Sequence, residues 1–207
     1  MFSKFFKRIY MFFFIALHEK NYKSQTYAFR KGVADTPLIV VFSAFGEMYQ
    51  PGGYNYVWSL RKLKANILWI RDRFGYCKVG TYYLGQYDGQ VFHNWKEVNE
   101  LIDKYSYGKK VYFCGTSKGG SAALLYGLEH PDSVIVSGSP QYYIGDYLNQ
   151  NDYHRKIKDA ICSTSNTDEI LNNLLSSSIK EHASLSGRYI VNMLISAYSQ
   201  PGRPAGP

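Results

Sequence analysis

The chain has 207 residues, 45% hydrophobic and 19% charged, which suits one domain with one sizeable core and excludes a disordered chain. A net charge of +8 fits an acidic polymer, a phosphorylated cofactor or an anionic membrane as partner. No RNA- or DNA-binding signature accompanies it, which speaks against nucleic acid.

Residues 1–20, MFSKFFKRIYMFFFIALHEK, read as a basic aromatic helix. The uncharged run from Ile9 to Leu17 is nine residues, too short to span a bilayer. Lys4, Lys7 and Arg8 fall on one helical face, with Phe2, Phe5, Phe6 and Ile9 around them. Three readings stand: a helix on a membrane surface or a partner, a helix packed on the domain, or an export signal. The last lacks a small-residue cleavage site after Leu17.

Residues 25–30 alternate as an edge strand does, and Leu38-Ile39-Val40-Val41-Phe42 reads as a strand buried on both faces of a parallel sheet. Pro51-Gly52-Gly53 marks a loop, 56–63 a short helix, and Asn66 to Ile70 the next buried strand. Gly80 to Leu84 is either a strand or a substrate-facing loop. Trp95, Val98, Leu101, Ile102 and Tyr105 recur at helical spacing, which predicts an amphipathic helix over 94–106.

The stretch from Val111 to Tyr126 carries the chemistry. An apolar run breaks at Gly115-Thr116-Ser117-Lys118-Gly119 and resumes with helix formers. That is strand, sharp turn, helix, and the turn matches G-x-S-x-G, the nucleophile elbow of α/β-hydrolases. Ser117 is the candidate nucleophile. The helix start behind it offers free N–H groups, that of Lys118 first, to an oxyanion. The loop after strand 38–42 should supply the second donor, from Ala44 or Phe45. Cys114, in the elbow strand, reads as a small buried residue. All three cysteines, with Cys77 and Cys162, match no metal or redox spacing, so no metal is expected and a reducing cytoplasm fits best.

Beyond the elbow, a helix over 118–130, a strand over 133–137, helices over 152–162 and 168–180 with Thr167 as N-cap, and a last strand over 188–196 are expected. The alternation argues an α/β fold, hydrolase-like, with a mainly parallel sheet and helices on both faces. The organisation is a helix at 1–20, a domain at 21–200 and a tail at 201–207. The tail's Pro, Gly, Arg and Ala are foreign to the body and read as a tag, a linker scar or frameshifted coding.

In this fold an acid and then a His should follow the serine. Behind the last expected strand stand Ala197-Tyr198-Ser199-Gln200, with no carboxylate. Asp146 is the internal substitute acid, and His154 and His182 are substitute bases; His130, at the far end of the elbow helix, would point away. On this reading the domain is C-terminally truncated relative to the fold, and the chain as it stands is expected to be inactive or nearly so.

The segments FSAFG (42–46), YNYV (54–57), GTYYLG (80–85), GTSKGGSAALLYGL (115–128) and SGSPQYYIGDYL (137–148) occur in one order. In this they resemble bacterial capsule polysaccharide O-acetyltransferases and capsule biosynthesis proteins, related to the acetyltransferase component of accessory secretion systems. The resemblance covers roughly 25–195. It implies that Ser117 takes an acetyl group, with acetyl-CoA as donor, and passes it to a sugar hydroxyl of a polysaccharide or oligosaccharide. The cysteines and the basic aromatic helix lead to an expected location in the cytoplasm, peripheral at the inner face of the cell membrane or in contact with a capsule assembly. A serine esterase and a non-catalytic member of a capsule-assembly complex remain the alternatives.

Overall fold

A computed structural model describes residues 2–46, 53–87, 90–93, 95–183 and 190–194. Its centre is a seven-stranded sheet in the order β1-β2-β4-β3-β7-β8-β9. The strands are β1 (Glu19–Tyr22), β2 (Gln25–Arg30), β3 (Leu38–Phe42), β4 (Asn66–Arg71), β7 (Val111–Thr116), β8 (Val134–Gly138) and β9 (Ile190–Leu194). β4, β3, β7, β8 and β9 run parallel, while β1 and β2 add an antiparallel margin. β5 (Leu84–Tyr87) and β6 (Gln90–His93) form a separate antiparallel pair.

Alternation along the strands divides the core in two. Leu38, Val40 and Phe42 of β3 join Leu68 and Ile70 of β4 on one face, with Phe113 of β7. Val41, Ile67 and Trp69 point to the other. This is why the runs at 38–42 and 66–70 carry no polar alternation: both sides are covered. The first face packs under α2 (Trp95–Ser106) and α3 (Lys118–Leu128), with α4 (Ile144–Leu148), α5 (Asp152–Ile161) and α6 (Thr167–Ala183) beyond. The second lies under α1 (Phe2–His18) and the segment 54–60, with Phe14 meeting Tyr54 and Trp69 at ring distances of 5.9 and 5.0 Å. Burying a Phe14-sized side chain contributes about 1.5–3 kcal/mol, so this one residue anchors α1.

Several expectations are corrected. Residues 56–63 form successive turns, not a helix: Tyr56 takes a positive φ of 61°, which a helix cannot contain. Thr167 does not cap α6 with its side chain; its hydroxyl closes a turn with Thr164, donating to that carbonyl at 2.7 Å and accepting from that N–H at 3.0 Å. Thr81, Tyr82 and Tyr83 lie ahead of a strand that begins only at Leu84, and β1 was not anticipated. The tail at 201–207 and the stretch 197–200, where the acid was sought, lie outside the described residues.

Candidate active site

Ser117 stands between β7 and α3 with φ 54° and ψ −128°. A non-glycine residue adopts this left-handed region only when the surroundings force it. The forcing is visible. The Ser117 N–H donates to Gly138 O at 2.8 Å, and its own carbonyl accepts from Gly120 and Ser121 at 2.8 and 3.1 Å. The turn is therefore pinned to β8 on one side and to α3 on the other. A Cβ at Gly115 would lie 2.1 Å from Gly119 O, and one at Gly119 would lie 2.6 Å from Phe42 O. Both glycines of the motif are needed because backbone meets backbone there.

The hydroxyl does not stand alone. Gln141 Nε2 donates to Ser117 Oγ. The buried Gln141 is held by Tyr82 OH, 3.4 Å from its Oε1, and by Ser121 Oγ on its own carbonyl at 2.9 Å. Tyr147 also hydrogen-bonds the Gln141 side chain, and burial raises the Tyr147 phenol above its ordinary pKa. The Tyr147 ring stacks on His154 at 4.8 Å and lies parallel to Phe45 at 6.4 Å. Ser117, Gln141, Tyr147, His154 and Phe45 thus form one continuous set beyond the carboxyl ends of β3, β7 and β8.

Beneath the turn, the Lys118 side chain runs inward and is wholly buried. Its Nζ meets Asp72 Oδ2 at 2.9 Å and lies over the Tyr83 and Phe45 rings, 4.9 and 5.5 Å from their centres. Asp72 Oδ2 also accepts the N–H groups of Thr81 and Tyr83 at 2.7 and 2.9 Å. Burial pulls the Lys118 ammonium below the usual lysine range, and Asp72 opposes the shift. Gly80 makes room: a Cβ there would lie 2.5 Å from Lys118 Nζ. The backbone N–H of Lys118 remains at the helix start, while its cation is spent on Asp72 and does not face the serine.

The other sequence candidates separate. The Ala44 N–H already donates to Asn55 Oδ1 at 3.0 Å, whereas among the described residues no acceptor meets the Phe45 N–H. Asp146 is tied to Asn172, whose Nδ2 donates to Asp146 Oδ1 at 2.7 Å. His182 Nε2 lies 3.0 Å from Glu129 Oε1, at the opposite end of α3 from Ser117. His130 is at that end too, with Nδ1 2.8 Å from Tyr126 O. Only His154 is joined to the serine, through Tyr147 and Gln141. Its pKa is lowered by burial, and a bond to the Tyr147 backbone opposes the shift. Gln141 and Asp72 escaped the sequence reading; both sit in quoted or neighbouring segments, but nothing local marks them. Cys114 is half-buried rather than fully buried, packed against the second core face, and burial pushes its thiol up to about 11. A surface hollow of about 440 Å³, lined by Asp35, Tyr107 and Lys110 among others, opens at the amino ends of β3 and β7. Sites in such sheets lie at the carboxyl ends, so it is the wrong edge for this chemistry.

Solved structures share this fold. The capsule O-acetyltransferase of Neisseria meningitidis serogroup A, as a histidine-to-alanine mutant in complex with CoA, matches with a TM-score of 0.63 at 16% identity over 87% of each chain. The fold is that of the α/β-hydrolases. A glycosylation-associated protein complex from Streptococcus agalactiae matches at 0.59 and 22% identity, over 81% of this chain and 33% of that one. An S-formylglutathione hydrolase from Agrobacterium tumefaciens matches at 0.53 and 11%, over 84% and 73%. At these identities the likeness is one of fold. No protein-family model matches the chain, and no curated protein matches it in sequence. The turn at Ser117 joins a parallel strand to a helix with the backbone geometry that the G-x-S-x-G spacing predicts.

Proposed function

We propose that this protein transfers an acyl group, acetyl in the simplest case, through Ser117 to a sugar hydroxyl in making or modifying a capsular or surface polysaccharide. The observation that carries the reading is the strained Ser117 turn with its hydroxyl presented at the carboxyl edge of the parallel sheet, ahead of α3. The capsule O-acetyltransferase among the structural neighbours, crystallised with CoA, supports a saccharide acceptor and acetyl-CoA as donor. The free thiols of Cys77, Cys114 and Cys162 fit a reducing cytoplasm.

In this mechanism a base takes the Ser117 hydroxyl proton, and Oγ attacks the thioester carbonyl carbon. The developing oxyanion meets the N–H groups of Lys118 and Phe45, while the Ala44 N–H stays committed to Asn55. The C–S bond breaks, and the thiolate leaves with the proton from the base. The acetyl-serine then reacts with a sugar hydroxyl, whose proton goes to the same base, and Ser117 is regenerated. His154 is our choice of base; it stands beyond Gln141 and Tyr147 from the hydroxyl, so a bridging water carries the proton between them. Burial against Tyr147 and Phe45 favours its neutral form, which is the form that accepts a proton. Gln141 holds Oγ in place, and the Phe45–Tyr147 wall gives the sugar a flat apolar surface and excludes water.

The test uses a fluorophosphonate probe, then acetyl-CoA with capsule oligosaccharide or with water alone. Where the sequence alone argues for an inactive chain, His154 beside Tyr147 argues for an active one, so labelling and sugar acetylation that vanish in Ser117→Ala are expected. His154→Gln should lower the rate by about 10⁴-fold or more, as for other triad members. Turnover with water equal to that with sugar would make the protein an esterase. No labelling and no turnover by the unaltered chain would leave a non-catalytic role in capsule assembly.

A further inference from the structure

Helix α1 has two faces, and the domain uses one of them. Tyr10, Met11, Phe14 and Ile15 pack on the sheet, with Phe14 only 4% exposed. At 100° per residue the opposite arc carries Phe5, Phe6, Ile9, Phe12, Phe13 and Leu17. Their exposure runs from 39% at Ile9 to 71% at Phe12 and 74% at Leu17. Single exposed apolar residues are ordinary, but a continuous stripe of aromatic and aliphatic side chains on one helix marks a contact surface.

The charge beside the stripe identifies what covers it. α1 contains no acidic residue, and Lys7 and Arg8 are both exposed. Lys7 Nζ lies 5.9 Å and the Arg61 guanidinium 3.9 Å from the centre of the Trp58 ring, whose edge also meets Tyr10. Arg8 borders the apolar arc on one side, and Lys7 with Trp58 and Arg61 forms a cationic, aromatic corner where the start of the helix meets the domain. That is the order of groups an anionic lipid surface requires: hydrocarbon below, then basic and amphipathic side chains at headgroup level. Crossing is a different matter. Among the described residues no helix is long and apolar enough to span a membrane. The 17 residues of α1 would reach about 26 Å, short of a hydrocarbon core, and one face is already given to the domain.

We propose that α1 docks the domain flat onto an anionic membrane surface through this stripe. The same helix is linked to the site. Tyr54 touches Phe14, Asn55 Oδ1 accepts the Ala44 N–H, and Tyr56 OH donates to Thr116 Oγ1 at 2.7 Å, next to Ser117. Docking therefore sets the Ser117 edge at a fixed attitude to the bilayer, where a membrane-associated acceptor would be held.

The experiment is flotation of the full chain with vesicles of phosphatidylcholine plus phosphatidylglycerol, against phosphatidylcholine alone. Binding to the mixed vesicles is expected, weakened by salt and by Arg8→Glu. It should fall at least about tenfold in Phe12→Asp with Phe13→Asp, because both charges enter the buried arc. These residues are exposed, so the thermal midpoint of the double variant should match that of the unaltered chain. Phe5→Asp with Leu17→Asp, at the ends of the stripe, repeats the test should the first pair disturb folding. Equal partitioning of the variants and the unaltered chain overturns the proposal. So does equal binding to neutral and anionic vesicles. An oligomer that the double variant dissociates, in a chain that ignores vesicles, would assign the stripe to a second copy.

Discussion

Lys118 serves the elbow twice, with its backbone at the helix start and its ammonium sealed against Asp72. The pair has no exposure at either side chain, so neither charge has water to fall back on. Asp72→Ala should therefore cost about 3–5 kcal/mol, the usual penalty for leaving a buried charge without its partner. Lys118→Met combined with Asp72→Asn removes both charges, and the asparagine oxygen can still accept from Thr81 and Tyr83. That double variant should recover most of the loss in urea denaturation, and a double variant as unstable as Asp72→Ala would show that the ion pair itself is required. Ser117 was legible in the sequence because the elbow is local: five consecutive residues dictate the turn. Asp72 and Gln141 were not, because they reach the site across 46 and 24 residues of chain. Only the folded sheet brings them under and beside the serine. The Asn55 acceptor of the Ala44 N–H was hidden for the same reason, since it lies 11 residues away.

At the scale of elements, strands were easier to read than the segments that cover them. β3 and β4 announce themselves as unbroken apolar runs, whereas 56–63 has helical composition and forms turns. There tertiary contacts outweigh propensity: Trp69 Nε1 donates to Asn55 O at 3.0 Å, and Arg30 binds the carbonyls of Leu60, Arg61 and Leu63 that a helix would have used. Substituting Arg30→Met should loosen this segment and α1 with it, seen as faster amide exchange at 54–63. The insert of α4, α5 and α6 is tied by Lys158, which bonds both Asn149 Oδ1 and Asp168 Oδ1, the latter at 2.8 Å. This hydrogen bond and ion pair hold the Asp168 carboxyl below its ordinary value. Its folded pKa is depressed, so its contribution is present above the usual carboxylate pKa and is lost as pH falls through the folded value. Half of the Asp168 side chain is exposed, and solvent screens the pair. Asp168→Asn should thus cost only about 0.5 kcal/mol at neutral pH, a difference that shrinks by pH 3 in paired melting curves. A gap that widens in acid would contradict the assignment.

For the whole molecule, the order of strands in space departs from their order in the chain. β3 lies between β4 and β7, so both of its neighbours come later, β7 some seventy residues on. During synthesis from the amino end, the run Leu38 to Phe42 emerges with neither edge paired. It acquires β4 first and stays open on its other side until β7 follows. An unpaired apolar strand edge is a template for association between chains. Fragments ending between residues 73 and 109 should accordingly precipitate or require a chaperone, whereas those reaching through β7 and α3 should stay in solution. The turn that presents Ser117 therefore falls directly after the strand that covers the second edge of β3. A ribosome-bound chain cannot form the elbow before β3 is paired on both sides, and the elbow is complete only when β8 covers the free edge of β7 and brings the Gly138 carbonyl to the Ser117 N–H.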